Sequence, residues 1–429
     1  DKVPPFAPHE ISKLASLKYN ELALRIISPF VGDSINQADL KNIIDDSYKD
    51  FRHKAIAPLK QLGHNDFLLD LFHGPTLAFK DFALQLLGRT LEHFLKKSDK
   101  HLTVIGATSG DTGSAAIEGC MGRKNMQIFI MHPSGRVSDV QRRQMTTIAE
   151  KNVFNIALEG TFDDCQDIVK SLFADNEFRT KQNLTAVNSI NWARILAQVV
   201  YYFYAALALG APARKVSFCV PTGNFGDIYA GYIAKQMGLP IEKLIIATNK
   251  NDILKRCLET GKYSMNGVVP TISPSMDIQI SSNFERLLFN LYDADAEKIS
   301  ELMDEFRAKK EITLSQNSWL KLKSEFSAGS SDDAQTKATI KRVYQESGEL
   351  LDPHSAVGVA VARKFYSKEV PIVTLATAHP AKFPEAVESA SKVHPALPPH
   401  LADLLTKEEK MTILPNEIAA VKKFIINNS

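Results

Sequence analysis

The chain has 429 residues, 44% of them apolar and 23% charged, and its net charge is +2. That length and composition suit two or three ordinary globular domains. The near-zero charge provides no broad basic surface for nucleic acid or an anionic membrane. The four cysteines, Cys120, Cys165, Cys219 and Cys257, are scattered without a C-x-x-C pair. They fit reduced thiols in a cytoplasmic protein rather than a disulfide framework or a zinc site. The most membrane-like run, Ile195 to Gly210, contains Gln198 and is shorter than the roughly 20 residues of a span, so it reads as a buried helix. No signal peptide is read, and the sequence starts at Asp1 rather than Met.

Residues 1–66 read as mainly helical, with apolar spacing at Ile11, Leu14, Leu17 and again at Leu40, Ile43, Ile44. Phe67 to Phe72 reads as a strand. Gly74-Pro75 breaks it, and from Thr76 the apolar residues Phe79, Phe82, Leu86, Leu87, Leu91, Phe94 and Leu95 recur at the helical period. Lys80 therefore falls in the first turn of a helix, where its charge opposes the helix dipole. An apolar surrounding from Phe79 and Phe82 would favour the neutral, nucleophilic amine that Schiff-base formation needs. The plain alternative is a solvated surface lysine.

Beyond it, strands alternate with helices. Leu102–Ile105, Gln127–Met131, Val153–Leu158, Leu184–Val187, Lys215–Val220, Leu244–Ala247 and Pro371–Ala376 read as apolar strands. The helices include a small-residue one after Gly113, one near Ser138–Ala149, one opened by Thr161 and Asp164, and a long one to about Leu209. This alternation predicts an α/β fold with two parallel-type open sheets covered by helices. Between about Lys262 and Gln345 the strands stop, and a helical elaboration is expected, with a flexible polar loop at Ser327–Asp333.

In open parallel sheets, ligands bind at the carboxyl ends of strands. The turn Thr108-Ser109-Gly110-Asp111-Thr112-Gly113 offers hydroxyls and backbone N–H groups at a helix start, which suits a carboxylate or phosphate. It matches neither the dinucleotide fingerprint nor the P-loop, and a plain strand-to-helix turn is its alternative reading. Pro221 to Asp227 forms a second candidate anion cradle, with Gly223 and Gly226 bracketing Asn224-Phe225. Asn188-Ser189-Ile190-Asn191-Trp192-Ala193-Arg194 surrounds a helix entry with amides, a hydroxyl and an arginine. Arg194 could hold a phosphate dianion with Ser189 adding a hydrogen bond, or be a surface arginine beside a capped helix. Thr377 ends the last strand and offers a hydroxyl there, or an N-cap. No H-E-x-x-H, G-x-S-x-G or kinase signature occurs, and His73, His132, His354 and His379 lack ligand spacing and read as structural.

A nucleophilic lysine, two anion cradles and a strand-end hydroxyl are the equipment of a pyridoxal-phosphate enzyme. The runs His73–Phe82, Thr108–Gly113, Asn188–Asn191, Pro221–Asp227 and Thr377–Phe383 together resemble threonine synthase of the enterobacterial and fungal type. The resemblance extends from about Leu14 to a C-terminal helix near Pro415–Ile426. It implies the fold of the tryptophan-synthase-β group. Residues 1–84 and 195–429 would form a large cofactor-binding domain, with 262–345 its helical elaboration, and residues 85–194 a smaller, mobile substrate domain. Lys80 would carry pyridoxal 5'-phosphate covalently. Gly223, Asn224, Phe225, Gly226 and Asp227 would hold its phosphate, and Thr377 would face its pyridine nitrogen. Thr108, Ser109, Asp111 and Thr112 would receive the substrate carboxylate; Asn188, Ser189, Asn191 and Arg194 would hold the substrate phosphate. Relatives in the wider fold group commonly carry Asn where this chain has Asp111.

The implied reaction is the last step of threonine biosynthesis, from O-phospho-L-homoserine and water to L-threonine and phosphate. Lys80 would be its general base. A phospholyase releasing 2-oxobutyrate and a noncatalytic binding module are the alternatives. A monomer is expected, with an oligomer left open.

Overall fold

The computed structural model describes residues 3–98, 100–186 and 189–429. In chain order its strands are β1 (Leu59–Gly63), β2 (Asp66–Asp70), β3 (Leu102–Ala107), β4 (Met126–Pro133), β5 (Val153–Glu159), β6 (Leu184–Ala186), β7 (Val216–Pro221), β8 (Ile241–Thr248), β9 (Lys262–Ser264), β10 (Glu311–Thr313), β11 (Phe326–Ser330), β12 (Ile372–Ala376) and β13 (Thr412–Pro415). The chain folds into two compact units, each built on its own open sheet.

The larger unit comprises Asp1–Lys41, His53–His73 and Ile195–Pro395. Its six-stranded sheet has the order β1-β2-β12-β7-β8-β11. All neighbours are parallel except β1, which pairs antiparallel with β2. Every residue of β7 and β12 is buried. Strands covered on both faces read as unbroken apolar runs rather than alternating ones, which is why both were legible. Helix Pro353–Ala362 covers one face, setting Val357 and Val361 against Cys219, Ile245 and Ile372.

Three expectations are corrected in this unit. The start of the chain is not helical to residue 66: helices Pro8–Leu14, Tyr19–Val31 and Gln37–Tyr48 are followed by β1. Strands do not stop at Lys262, because β9 and β10 form an antiparallel pair between the helices. The polar run at Ser327–Asp333 is not a loop throughout. Ser327 to Ser330 belong to β11, the sheet's edge strand parallel to β8, and Asp332 then caps helix Asp333–Ser347. Small side chains hid that strand, and they are what the packing needs: a Cβ on Gly329 would stand 2.8 Å from Val361 Cγ1.

The second unit comprises Asn42–Arg52, Gly74–Arg194 and Ala396–Ser429. Residues 42–52, 74–84 and 396–429 thus group with residues 85–194, whereas the expected division gave them to the larger domain. The five-stranded sheet, β13-β5-β4-β3-β6, is parallel throughout. Side chains alternate across it with the strand period of two. Val104, Ile128 and Ile130 pack with Leu84, Leu87, Ala115 and Ile117 on one face. Ile105, Phe129 and Met131 pack with Ile168, Leu172, Val421 and Ile425 on the other. Among the described residues no helix is long and apolar enough to cross a membrane.

Candidate active site

Lys80 is the first residue of helix Lys80–Ser98, in the second unit. The preceding turn is fixed by Asp81, whose carboxylate accepts the Thr76 backbone N–H at 2.8 Å and the Thr76 hydroxyl at 2.6 Å. Gly74 is required there, since a Cβ would meet Asp81 Oδ2 at 2.5 Å. The Lys80 side chain is 12% exposed, which removes the solvated-surface reading. Its Nζ lies 3.5 Å from Asp111 Oδ2 and 5.7 Å from the Phe79 ring centre. The surrounding is therefore not purely apolar, because a carboxylate faces the amine.

Asp111 opens the next helix, Asp111–Cys120. Its second oxygen, Oδ1, accepts Gln141 Nε2 at 2.8 Å. The same helix, Asp139–Thr146, sends Gln144 Nε2 to the Thr76 carbonyl at 3.0 Å, so one helix braces both Asp111 and the lysine turn. Of the other residues in that turn, Thr108 is buried and its hydroxyl accepts the N–H groups of Gly110 and Gly113 at 3.0 and 2.9 Å. Thr108 thus shapes the turn from inside. Ser109 is exposed and Thr112 half-buried.

Asn188 lies outside the described residues. Ser189 and Asn191 are half-buried, and Asn191 Oδ1 accepts the Ala193 N–H at 2.9 Å at the entry to helix Trp192–Ala208. Arg194, in the first turn of that helix, is buried. Among the described residues no carboxylate faces it, and its Nη1 has no hydrogen-bond partner. Burial alone pulls the guanidinium down to about 10, still charged at neutral pH.

The remaining predicted residues lie in the larger unit. Gly223, Asn224 and Phe225 form the turn between β7 and helix Gly226–Gln236. Their carbonyls are tied back: Ser281 Oγ donates to Gly223 O at 2.6 Å, and Asn283 donates to Asn224 O from its backbone N at 3.1 Å and its Nδ2 at 3.0 Å. Phe225 has φ +64°, the left-handed region, a conformation that builds anion-binding nests. Among the described residues none accepts a hydrogen bond from the N–H groups of Gly223, Asn224 or Phe225. A Cβ on Gly223 would stand 2.8 Å from the Ser275 carbonyl oxygen. A nest of undonated N–H groups, walled closely and standing at a helix N-terminus, fits the phosphate of pyridoxal phosphate.

Asp227 is turned into the core rather than toward that nest. Its Oδ1 accepts the hydroxyls of Tyr201 at 2.5 Å and Tyr202 at 3.0 Å. Burial pushes its carboxyl up to about 6, against the pull of those two hydroxyls. Thr377 is buried just beyond β12, and its N–H donates to Ser355 Oγ at 3.1 Å. Of the histidines read as structural, two sit in local contacts: His73 Nε2 is 3.2 Å from Asp70 Oδ2, and His379 Nδ1 accepts the Ala381 N–H at 3.1 Å.

Gln141, Gln144, Ser281 and Asn283 are site-shaping residues that the sequence reading did not single out. Each acts on a partner far along the chain, and a polar residue in such a place carries no local pattern.

Known proteins bear on this geometry. The family model described as pyridoxal-phosphate dependent enzyme matches residues 52–312, that of the threonine synthase N terminus matches residues 1–48, and that of the threonine synthase C-terminal region matches residues 355–425. The threonine synthase of Pseudomonas aeruginosa is 56% identical over 427 residues, covering 99% of this chain and 91% of the relative. The crystal structure of a pyridoxal-phosphate-bound threonine synthase from Brucella melitensis superposes with a TM-score of 0.98 at 54% identity, covering 100% of this chain and 92% of that one. Yeast threonine synthase superposes with a TM-score of 0.95 at 41% identity, again over 100% and 92%. The architecture is that of the fold-type II pyridoxal-phosphate enzymes, and the chain belongs to the threonine synthase family.

Proposed function

We propose that this chain converts O-phospho-L-homoserine and water into L-threonine and inorganic phosphate. The observation that carries the substrate assignment is Arg194. A buried guanidinium that faces no carboxylate among the described residues is costly unless an anion joins it. The cofactor's phosphate already has a nest at Gly223–Phe225, so the anion left for Arg194 is the substrate's. Ser189 and Asn191 stand beside it in sequence to complete the hold. The reducing cytoplasm suits the chain, whose four cysteines are free and buried.

When bound, pyridoxal phosphate supplies an electron sink for bonds broken at the substrate's Cα. The residues do the rest. Gly223, Asn224, Phe225 and Gly226 would hold the cofactor phosphate with backbone N–H groups, and Asp227 would stiffen that turn through Tyr201 and Tyr202. Thr377 would meet the pyridine nitrogen with a hydroxyl, which can donate to a neutral nitrogen where a carboxylate would hold it protonated. Lys80 would attach the cofactor, and its amine would take the proton from the substrate's Cα. The Asp111 carboxylate fixes where that amine rests. The turn at Thr108–Thr112 would receive the substrate carboxylate. Arg194 would hold the phosphate as it leaves Cγ and retain it afterwards.

The test is product analysis with O-phospho-L-homoserine. L-threonine and phosphate should appear in equal amounts, with 2-oxobutyrate a minor by-product. Dominant 2-oxobutyrate and ammonia would make the protein a phospholyase and overturn the synthase reading.

A further inference from the structure

We propose that Asp352 is a positioning residue that sets both ends of the cofactor cradle at once. The proposal rests on the reading that Gly223–Asp227 and Thr377 hold pyridoxal phosphate. Asp352 has no exposed surface and caps helix Pro353–Ala362. Its two oxygens serve two separate branches.

Oδ1 accepts the His354 backbone N–H at 2.9 Å and faces the same residue's ring Nδ1 at 2.8 Å. A carboxylate at Nδ1 places the ring proton there and leaves Nε2 an acceptor. Nε2 accepts the backbone N–H of Ser275 at 3.1 Å. The Ser275 carbonyl is the wall against Gly223, where a Cβ would come within 2.8 Å. This branch therefore ends at the phosphate nest.

Oδ2 accepts the Ser355 backbone N–H at 3.2 Å and also its hydroxyl proton. With that proton committed, Ser355 Oγ is left as an acceptor, and it takes the Thr377 N–H at 3.1 Å. This branch ends at the residue assigned to the pyridine nitrogen.

Capping a helix needs only the backbone contacts. The two side chains that carry the branches outward, His354 and Ser355, are 3% and 1% exposed and add nothing to the cap. The Phe383 ring, 4.8 Å from the His354 ring, packs beside the first branch. Asp352 thus locks the spacing between the wall behind the phosphate nest and the backbone of the residue whose hydroxyl meets a ring nitrogen.

The experiment compares equilibrium binding of pyridoxal phosphate and of pyridoxal, which lacks the phosphate, together with the absorption spectrum of the bound cofactor. His354→Phe should weaken pyridoxal phosphate by about tenfold, the scale of one lost buried hydrogen bond, and leave pyridoxal within about twofold. Ser355→Ala should weaken both compounds by the same factor and shift the absorption maximum, while Ser355→Thr, which keeps a hydroxyl, should restore both. Asp352→Asn should show both effects; should it fail to fold, the two single-branch variants decide alone. Wild-type protein that takes up no pyridoxal phosphate would refute the cofactor reading itself. Wild-type uptake with both branch variants binding both compounds as wild type does, spectra unchanged, would overturn only the role of Asp352.

Discussion

A Cβ on Gly88 would stand 2.0 Å from the carbonyl oxygen of Gly119, and one on Gly119 would stand 2.5 Å from the carbonyl oxygen of Leu84. Helices Lys80–Ser98 and Asp111–Cys120 consequently meet backbone to backbone, and that closeness brings their first residues, Lys80 and Asp111, to 3.5 Å. On an open helix Gly→Ala would gain about 1 kcal/mol in propensity. Here the added methyl has no space. Gly88→Ala should therefore destabilise the protein by about 2 kcal/mol, the usual scale of overpacking, and lower turnover by moving Lys80 off Asp111. Urea unfolding beside a steady-state assay checks both; a variant as stable as wild type would show that the two helices slide apart freely.

Lys80 should be the residue that carries the cofactor. Borohydride reduction followed by peptide mass mapping should find one phosphopyridoxyl group, on the peptide containing Lys80. Lys80→Ala should abolish the bound-cofactor absorption that survives gel filtration in wild type. Modification of another lysine would refute the assignment.

The position of Lys80 was legible because Gly74-Pro75 ends one pattern and the helical period begins directly after it. β4, β7 and β12 were legible because buried strands spell continuous apolar runs. The sheet order was not, since β12 inserts between β2 and β7 although a long stretch of chain, from Pro221 to Ile372, separates it from β7. β11 was hidden by Ser327, Ala328, Gly329 and Ser330, which carry a loop's composition and a strand's backbone. At the site, the Gly223–Phe225 nest was legible from its glycines, whereas Ser281 and Asn283, which hold its carbonyls, lie in the stretch that reads only as a helical elaboration. Asp352-Pro353 spells a helix start, but nothing local shows that His354 and Ser355 reach Ser275 and Thr377.

Asp227 predicts a pH dependence. Its carboxyl is pushed from 3.8 to about 6 by burial. Between these values the folded chain binds a proton that the unfolded chain does not, so stability falls as pH rises through this window. Above about pH 6 the ionised group costs the fold about 3 kcal/mol. Asp227→Asn keeps an acceptor for Tyr201 and Tyr202 and removes the charge. The stability of the variant relative to wild type should then rise by about 2 kcal/mol between pH 4 and pH 7, the first part of the change lying below pH 4, read from denaturant unfolding of the cofactor-free protein at each pH. Parallel profiles for the two proteins would show that Asp227 is not the titrating group.

Arg194 predicts a trade between stability and activity. Its guanidinium is buried, charged at neutral pH and faces no carboxylate among the described residues. Replacing a buried uncompensated charge with an apolar side chain of similar length removes a desolvation cost without opening a large cavity. Arg194→Met should therefore stabilise the substrate-free protein, by about 1–2 kcal/mol on the scale of such replacements. The same change removes the group proposed to hold the leaving phosphate, so kcat/KM should fall by about two to three decades while the bound-cofactor spectrum stays as in wild type. Arg194→Lys should recover little, because an ammonium lacks the planar fork that grips two phosphate oxygens. Inorganic phosphate separates the two phosphate sites directly. With cofactor bound, its nest is filled, and added phosphate should still raise the unfolding midpoint of wild type through Arg194, as any ligand of the folded state does, but not that of Arg194→Met. A methionine variant that loses its cofactor and still responds to phosphate would mean that Arg194 serves the cofactor and the Gly223 nest serves the substrate.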